Sequence, residues 1–531
     1  MKKIIITGLL AALTAGAAYA AAPTQADFNR AVMQAYEELL RENYKDYETL
    51  FRRANAYYNS GDYLKALDDL DSAVKYAPET DTDTRFAIYA LRAECYRELH
   101  RYAQALPEAN AALTIDPMSA PMLNLRGEIE YDLGQYAEAK ADFSKLLRIQ
   151  PRSQEAYFGL ALVAAKESNH GLASEYMDKA VALTPGKSDV YVRRAQVKEQ
   201  MGDYNGAVDD LLLAIATDGN DPQALPALVA LADGNYSAVM AGLSGAIRKA
   251  PRQPLFYYLR ASIAAAHFHY KAAIDDFNYI ITEGLYDYSG LYCSLAECYY
   301  ALGRYQTALD NIDTALSRYD EQDDVCRYFV VRAQIQRAMG DTDKALASAA
   351  RALDFSPENP EAMVEKALIL TDKKQAKEAS TILGEVIMSR PYEPMNYMLR
   401  AWVLNDFLNQ QKAAKGLYGR VIDLELDHSE RVGSLLGFAR LFDGKTAQAV
   451  AWIDAILAEP DYDGKNHYYG ACFYAWAGKP DKALDCMEAS LKAGYANYHD
   501  WTANNDGRIN VGPLRDTARF KTLMETYKSL F

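Results

Sequence analysis

Histidine, tryptophan and cysteine are scarce in this chain of 531 residues, with 7, 4 and 6 copies, and their scarcity narrows its chemistry. The histidines, at positions 100, 170, 267, 269, 428, 467 and 499, include no pair spaced for zinc on one helix face. His267 and His269 are two apart and would point to different faces of a helix. Gly-x-Ser-x-Gly elbows, Gly-rich phosphate loops and His-Glu-x-x-His motifs are absent, so no nucleophile, phosphate cradle or metal ligand set is expected. The reading is of a protein that is not an enzyme and takes no cofactor or metal. Positive charge is also in deficit: 57 Lys and Arg face 72 Asp and Glu, a net charge of −15. Phosphate backbones and anionic lipid are repelled by such a chain, which argues against nucleic acid as a partner. After the first twenty or so residues no apolar run is long enough to cross a bilayer, so no transmembrane span is expected. Low-complexity linkers are missing as well.

What is present begins with Lys2 and Lys3, an apolar stretch from Ile4 to Ala18, and the small-residue sequence Ala18-Tyr19-Ala20. That pattern predicts a secretory signal peptide over 1–22, hence an exported protein, periplasmic or secreted and soluble after cleavage. No cysteine precedes Cys95 to carry a lipid anchor. Once Lys2 and Lys3 leave with the leader, the net charge becomes about −17.

The body of the chain repeats itself. Ala105, Ala139, Ala173 and Ala207 stand 34 residues apart, and Ala345, Ala379 and Ala413 keep the same step. One supersecondary unit stacked many times produces such a period. In the clearest copy, Ala120 to Pro151, Gly127 and Ala139 are the small residues where two helices cross, Tyr136 and Phe143 fill the gap to the next pair, and Pro151 ends the unit. Gly134-Gln135-Tyr136 supplies the turn. Comparable sets recur as Ala54, Tyr57, Gly61, Tyr63, Ala66, Ala73 and Pro78, and as Ala296, Tyr299, Gly303, Tyr305, Ala308 and Ala315, with worn copies beyond Pro357.

This pattern resembles the tetratricopeptide repeat. The resemblance implies an all-α, right-handed superhelical solenoid of about thirteen helix-turn-helix repeats with capping helices at its ends. The expected domains are a capping helix in 23–46, the array over 47–495, and a loop with a second capping helix in 496–531. Family geometry places the binding groove on the first helix of each unit. In this sequence that gives Phe51, Asn55, Tyr58, Glu94, Arg97, Glu128, Tyr131 and Asp132 as a polar, acidic early groove. Tyr258, Tyr300 and Arg337 continue it, and Trp402, Tyr468 and Trp476 give an aromatic late groove, although the late aromatics, Trp402 and Trp476 above all, could equally be filling the worn units. Family members that grip acidic chaperone tails use Lys and Asn at set positions of neighbouring units; here only Asn55 matches, so that clamp is not expected.

Two further readings stay open. Cys472 and Cys486, on paired helices of one unit, are the best placed cysteines for a disulfide in an oxidising compartment, against buried free thiols. Glu459, Asp461 and Asp463 before Gly464 suggest part of a calcium loop, but Gly470 stands where the bidentate glutamate belongs; Asn504 and Asp506 near Gly507 fail similarly. An array without catalytic residues implies a protein-binding scaffold or adaptor of the bacterial envelope, with glycan or peptidoglycan stacking on the late aromatics as the alternative. A poorly capped end would also permit self-association.

Overall fold

A computed structural model describes residues 25–531 apart from 220, 321–323, 428–434 and 504–506. The leader over 1–22, His428, and Asn504 with Asp506 lie outside the described residues. Those described are helical, with no strand among them. Helix α1 (Gln25–Glu42) packs on the first of five helix pairs: α2 (Tyr47–Asn59) with α3 (Tyr63–Tyr76), α4 (Thr82–Glu98) with α5 (Tyr102–Ile115), α6 (Ala120–Asp132) with α7 (Tyr136–Ile149), α8 (Gln154–Lys166) with α9 (His170–Leu183), and α10 (Ser188–Gln200) with α11 (Tyr204–Thr217). Helix α12 (Ala224–Lys249) is broken at Asn235, whose φ of −136° and ψ of 41° are not helical. There the contacts divide the chain into two units, one ending at Asn235 and one beginning at Tyr236.

The second unit continues with α13 (Pro254–Ala266) and α14 (Tyr270–Thr282), α15 (Ser289–Ala301) and α16 (Tyr305–Arg318), α17 (Val325–Ala338) and α18 (Thr342–Phe355), α19 (Pro360–Asp372) and α20 (Ala376–Ser389), α21 (Pro394–Asp406) and α22 (Gln411–Asp427), α23 (Leu435–Phe442) and α24 (Thr446–Ile456), and α25 (Lys465–Trp476) and α26 (Pro480–Ala493). Two short helices, α27 (Tyr498–Thr502) and α28 (Ala518–Thr526), follow, and α28 lies on α26 with Phe520 and Leu523 buried. Counting the broken helix α12 as a pair, thirteen pairs stand in tandem among the described residues.

Local chemistry sets the ends of these helices. Asp62 and Asn169 accept from the backbone N–H groups of Lys65 and Leu172 and so cap α3 and α9. Pro254, Pro360, Pro394 and Pro480 open their helices, where a missing N–H costs nothing. Gly134 takes φ of +76° in the turn between α6 and α7, a conformation that a side chain disfavours.

Within a pair, one ionic contact recurs. Arg53, Arg126, Arg194 and Arg260 on first helices each hold, through Nε and Nη2, the carboxylate sixteen residues later on the second helix: Asp69, Asp142, Asp210 and Asp276, at 2.6 to 2.8 Å. All four aspartates are buried. Bidentate geometry makes such pairs strong and directional, so they fix how the two helices of a pair face each other.

Between pairs the contact is apolar and close. Phe143 of α7 is fully buried between Gly127 of α6 and Gly159 of α8; a Cβ at those glycines would meet its ring at 2.8 and 2.5 Å. Gly159→Ala therefore overpacks this joint and should cost about 1–3 kcal/mol. Hydrogen exchange of the α6 to α9 amides reads that loss locally, because repeat arrays need not unfold in one step. Adding Phe143→Leu should restore part of the protection; equal losses in Gly159→Ala with and without it would refute the joint.

Candidate functional site

In the amino-terminal unit the first helices of the five successive pairs touch one another as well as their own partners, and so build one continuous face. This face carries the sequence-predicted residues in a graded order. Asn55 is exposed, and Phe51, Tyr58, Glu94, Arg97, Glu128 and Tyr131 are half-buried. Arg97 is the hub. It donates from Nη1 to Glu128 Oε2 at 2.8 Å and from Nη2 to Glu98 Oε1 at 2.7 Å, while Asn124 Nδ2 donates to Glu128 Oε1 at 2.8 Å. Tyr58 lies near enough to this group that burial, then Glu94 and Glu98, push its hydroxyl up to about 12. Burial likewise raises the carboxyls of Glu94 and Asp132, against the pull of Arg97.

Arg97, Glu128, Tyr131 and Asp132 come together at a recess of about 360 Å³. Its other wall comes from the next two pairs: Phe158 and Leu162 on α8, and Gln196 and Glu199 on α10. The sequence reading left these four out. Their signal was available, because Leu162 and Gln196 follow Glu128 by one and two steps of 34, and Glu199 follows Tyr131 by two. Phe51, Asn55, Tyr58 and Glu94 lie on the same face but do not line the recess.

In the carboxy-terminal unit Tyr258 is exposed beside Phe277, and Tyr300 and Arg337 line a second recess of about 510 Å³ with Glu365, Asn396, His499 and Asp500. Arg337 donates from Nε to Asp372 at 2.6 Å. The expected late aromatic groove is corrected here. Trp402 and Tyr468 are only 8% and 6% exposed: Trp402 packs edge-on against Phe407, and Tyr468 stacks on Tyr495 and meets Trp501. Trp476 is half-buried, donates from Nε1 to the Asn510 carbonyl at 2.9 Å and lies under the Arg508 guanidinium. Stacking platforms for a glycan are therefore not offered by Trp402 and Tyr468. The worn repeats pack on bulky side chains where small ones are missing, and the described residues of 495–531 cover what remains.

That segment also reaches the start of its unit. His499 shares hydrogen bonds with the hydroxyls of Tyr300, through Nε2 at 2.7 Å, and Tyr305, through Nδ1 at 2.9 Å. Tyr495 packs on Phe268 with ring centroids 4.3 Å apart, and the Ser529 carbonyl accepts from Lys271 Nζ at 2.6 Å. At the other end Arg508 pairs with Asp406. The chain's own terminus thus bridges α13 to α16 with α21 and α25.

The acidic turn before α25 is used by the fold. Asp461 accepts from the backbone of Asn466 and His467, and Asp463 accepts from Lys465 N at 3.0 Å and faces His267 at 3.6 Å. Cys472 and Cys486 are free thiols, like the other four cysteines.

Burial, then the charges of Arg337 and Arg515, push the His499 imidazole down to about 4. An unfolded histidine takes its proton near pH 6.5. Between these values the opened chain binds more protons than the closed one, so closure weakens as pH falls from 6.5 to 4, by up to about 3 kcal/mol. Amide exchange of 498–502, corrected for intrinsic rates, should accelerate across that window, and His499→Gln should flatten the dependence. An equal slope in the variant would refute the assignment to His499.

Comparison with family models agrees with this architecture. Tetratricopeptide repeat models match residues 47–80, 124–188, 287–358 and 336–403. Anaphase-promoting complex subunit 3 of Schizosaccharomyces pombe is 25% identical over 134 residues, which are 25% of this chain and 19% of that protein. Cellulose synthase operon protein C of Pseudomonas fluorescens is 25% identical over 209 residues, 38% of this chain and 16% of that protein. Tetratricopeptide repeat protein 16 of Mus musculus is 22% identical over 397 residues, 66% of this chain and 51% of that protein. The chain thus spans from about a sixth to about half of the length of these relatives. Among solved structures, yeast Tom70 aligns with a TM-score of 0.36 and 16% identity, covering 78% of this chain and 99% of that one.

Proposed function

Starting from a chain that is a tetratricopeptide-repeat protein, we propose that it is a protein-binding scaffold or adaptor of the bacterial cell envelope, engaging a segment of its partner along the first-helix face of the amino-terminal unit. The observation that carries this reading is the open recess at Arg97, Glu128, Tyr131 and Asp132, formed where four successive pairs meet and left uncovered by the chain itself. In the carboxy-terminal unit Tyr468 and Trp476 are already engaged by 495–531 and Trp402 packs on Phe407, so the amino-terminal face is the one offered to a partner. Names of relatives point the same way: one is a subunit of the anaphase-promoting complex, and another, from Homo sapiens, is a mitochondrial import receptor subunit. Export is supported by the charged, apolar and small-residue order of Met1 to Ala20. Among the described residues no helix is long and apolar enough to cross a membrane.

Photo-crosslinking amino acids placed at Gln196, in the recess, and at Glu175, on the second helix α9, test the binding reading in cells. One reproducible partner protein should be captured from Gln196 and not from Glu175. Equal capture from both positions, or none from Gln196 in a folded, abundant chain, would overturn it. For the envelope setting, the chain should appear in the osmotic-shock fraction lacking 1–22; a cytoplasmic chain that keeps Met1 would refute export.

A further inference from the structure

We propose that the recess of the amino-terminal unit is a subsite for a basic side chain, lysine or arginine, flanked by an apolar one on an extended peptide of the partner. The inference rests on the protein-binding reading above and names the chemistry that reading leaves open.

The floor of the recess is apolar. Phe158 is buried there, and Leu162 beside it is half-buried, so an apolar side chain that covers Leu162 releases the water held against it. The rim is acidic: among the lining residues Glu128, Asp132, Glu155 and Glu199 stand against Arg97 and Arg193. These two cations are already engaged. Arg97 is divided between Glu98 and Glu128, and Arg193 lies over the Phe158 ring at 5.9 Å. Asp132 on α6 and Glu199 on α10 are exposed carboxylates of that rim, one on each side of the recess.

One polar atom of the lining adds a second, independent sign. Tyr131 Oη is sealed from solvent with no hydrogen-bond partner, and a buried acceptor in that state is costly. An ammonium or guanidinium group brings three or five donors and no acceptor, which suits both that oxygen and a rim where four carboxylates stand against two arginines. Burial raises the carboxyls of Asp132 and Glu199, against the pull of Arg97 on the first and of Lys166 on the second. An acidic peptide meets the opposite situation at every one of these groups.

Fluorescein-labelled twelve-residue Gly-Ser peptides with a central Leu-Lys-Leu-Lys, Leu-Glu-Leu-Glu, Leu-Gln-Leu-Gln or Gly-Lys-Gly-Lys core are the probes, titrated with the full chain lacking its leader by fluorescence anisotropy. The Leu-Lys peptide should bind at least about ten-fold tighter than the Leu-Glu and Gly-Lys peptides, and more weakly as salt rises. Asp132→Asn with Glu199→Gln, both nearly isosteric, should weaken it about ten-fold at an unchanged circular dichroism spectrum, while Glu175→Gln with Asp178→Asn on α9 should not. Equal binding of the Leu-Glu or Leu-Gln peptide, or full affinity in the recess variant, would overturn the basic subsite and leave peptide binding standing. Binding of none of the four peptides would overturn the subsite as well. Capture from Gln196 in the crosslinking experiment judges the protein-binding reading separately.

Discussion

A helix pair in this chain cannot cover its own apolar face, and everything else in the structure follows from that constraint. Phe143 shows it at atomic scale: the ring belongs to one pair, yet it is enclosed only when glycines from its own and the following pair press on both faces. Each pair therefore needs the next. The Arg and Asp bridges sixteen residues apart act one level lower, setting the angle at which two helices of a pair present the joint.

Because the stacking is serial, the last pair has an uncovered side, and the described residues of 495–531 cover it. Covering has a consequence for function. The segment that shields the end also occupies the aromatic side of its own unit, with His499 held between two tyrosine hydroxyls and Tyr495 between Phe268 and Tyr468. Aromatic residues that look like a binding surface are then interior. In the amino-terminal unit the face of first helices is not filled in this way, and carboxylates outnumber arginines around its recess.

Small residues where helices cross, and aromatic residues that fill the gaps, made the pairing legible from the 34-residue step. The register of the early face was legible too, since Arg97, Glu128, Tyr131 and Asp132 do meet at one recess. Its opposite wall could have been found by carrying the same register forward to Leu162, Gln196 and Glu199. Trp402, Tyr468 and Trp476 left groove and packing both open, because period alone cannot say whether an aromatic side chain at a groove position has another part of the chain lying on it.

The sequence by itself determined the repeat, its helices and the sign of the charge on the early face, since these depend on neighbours within about one or two repeat lengths. Only the tertiary structure decided which stretch of that face stays open. Contacts such as His499 with Tyr300 or Arg508 with Asp406 join residues 199 and 102 positions apart, and no local period encodes a pairing at such distance. Occlusion is set by where the terminus docks, and docking is a sum over many such long-range contacts.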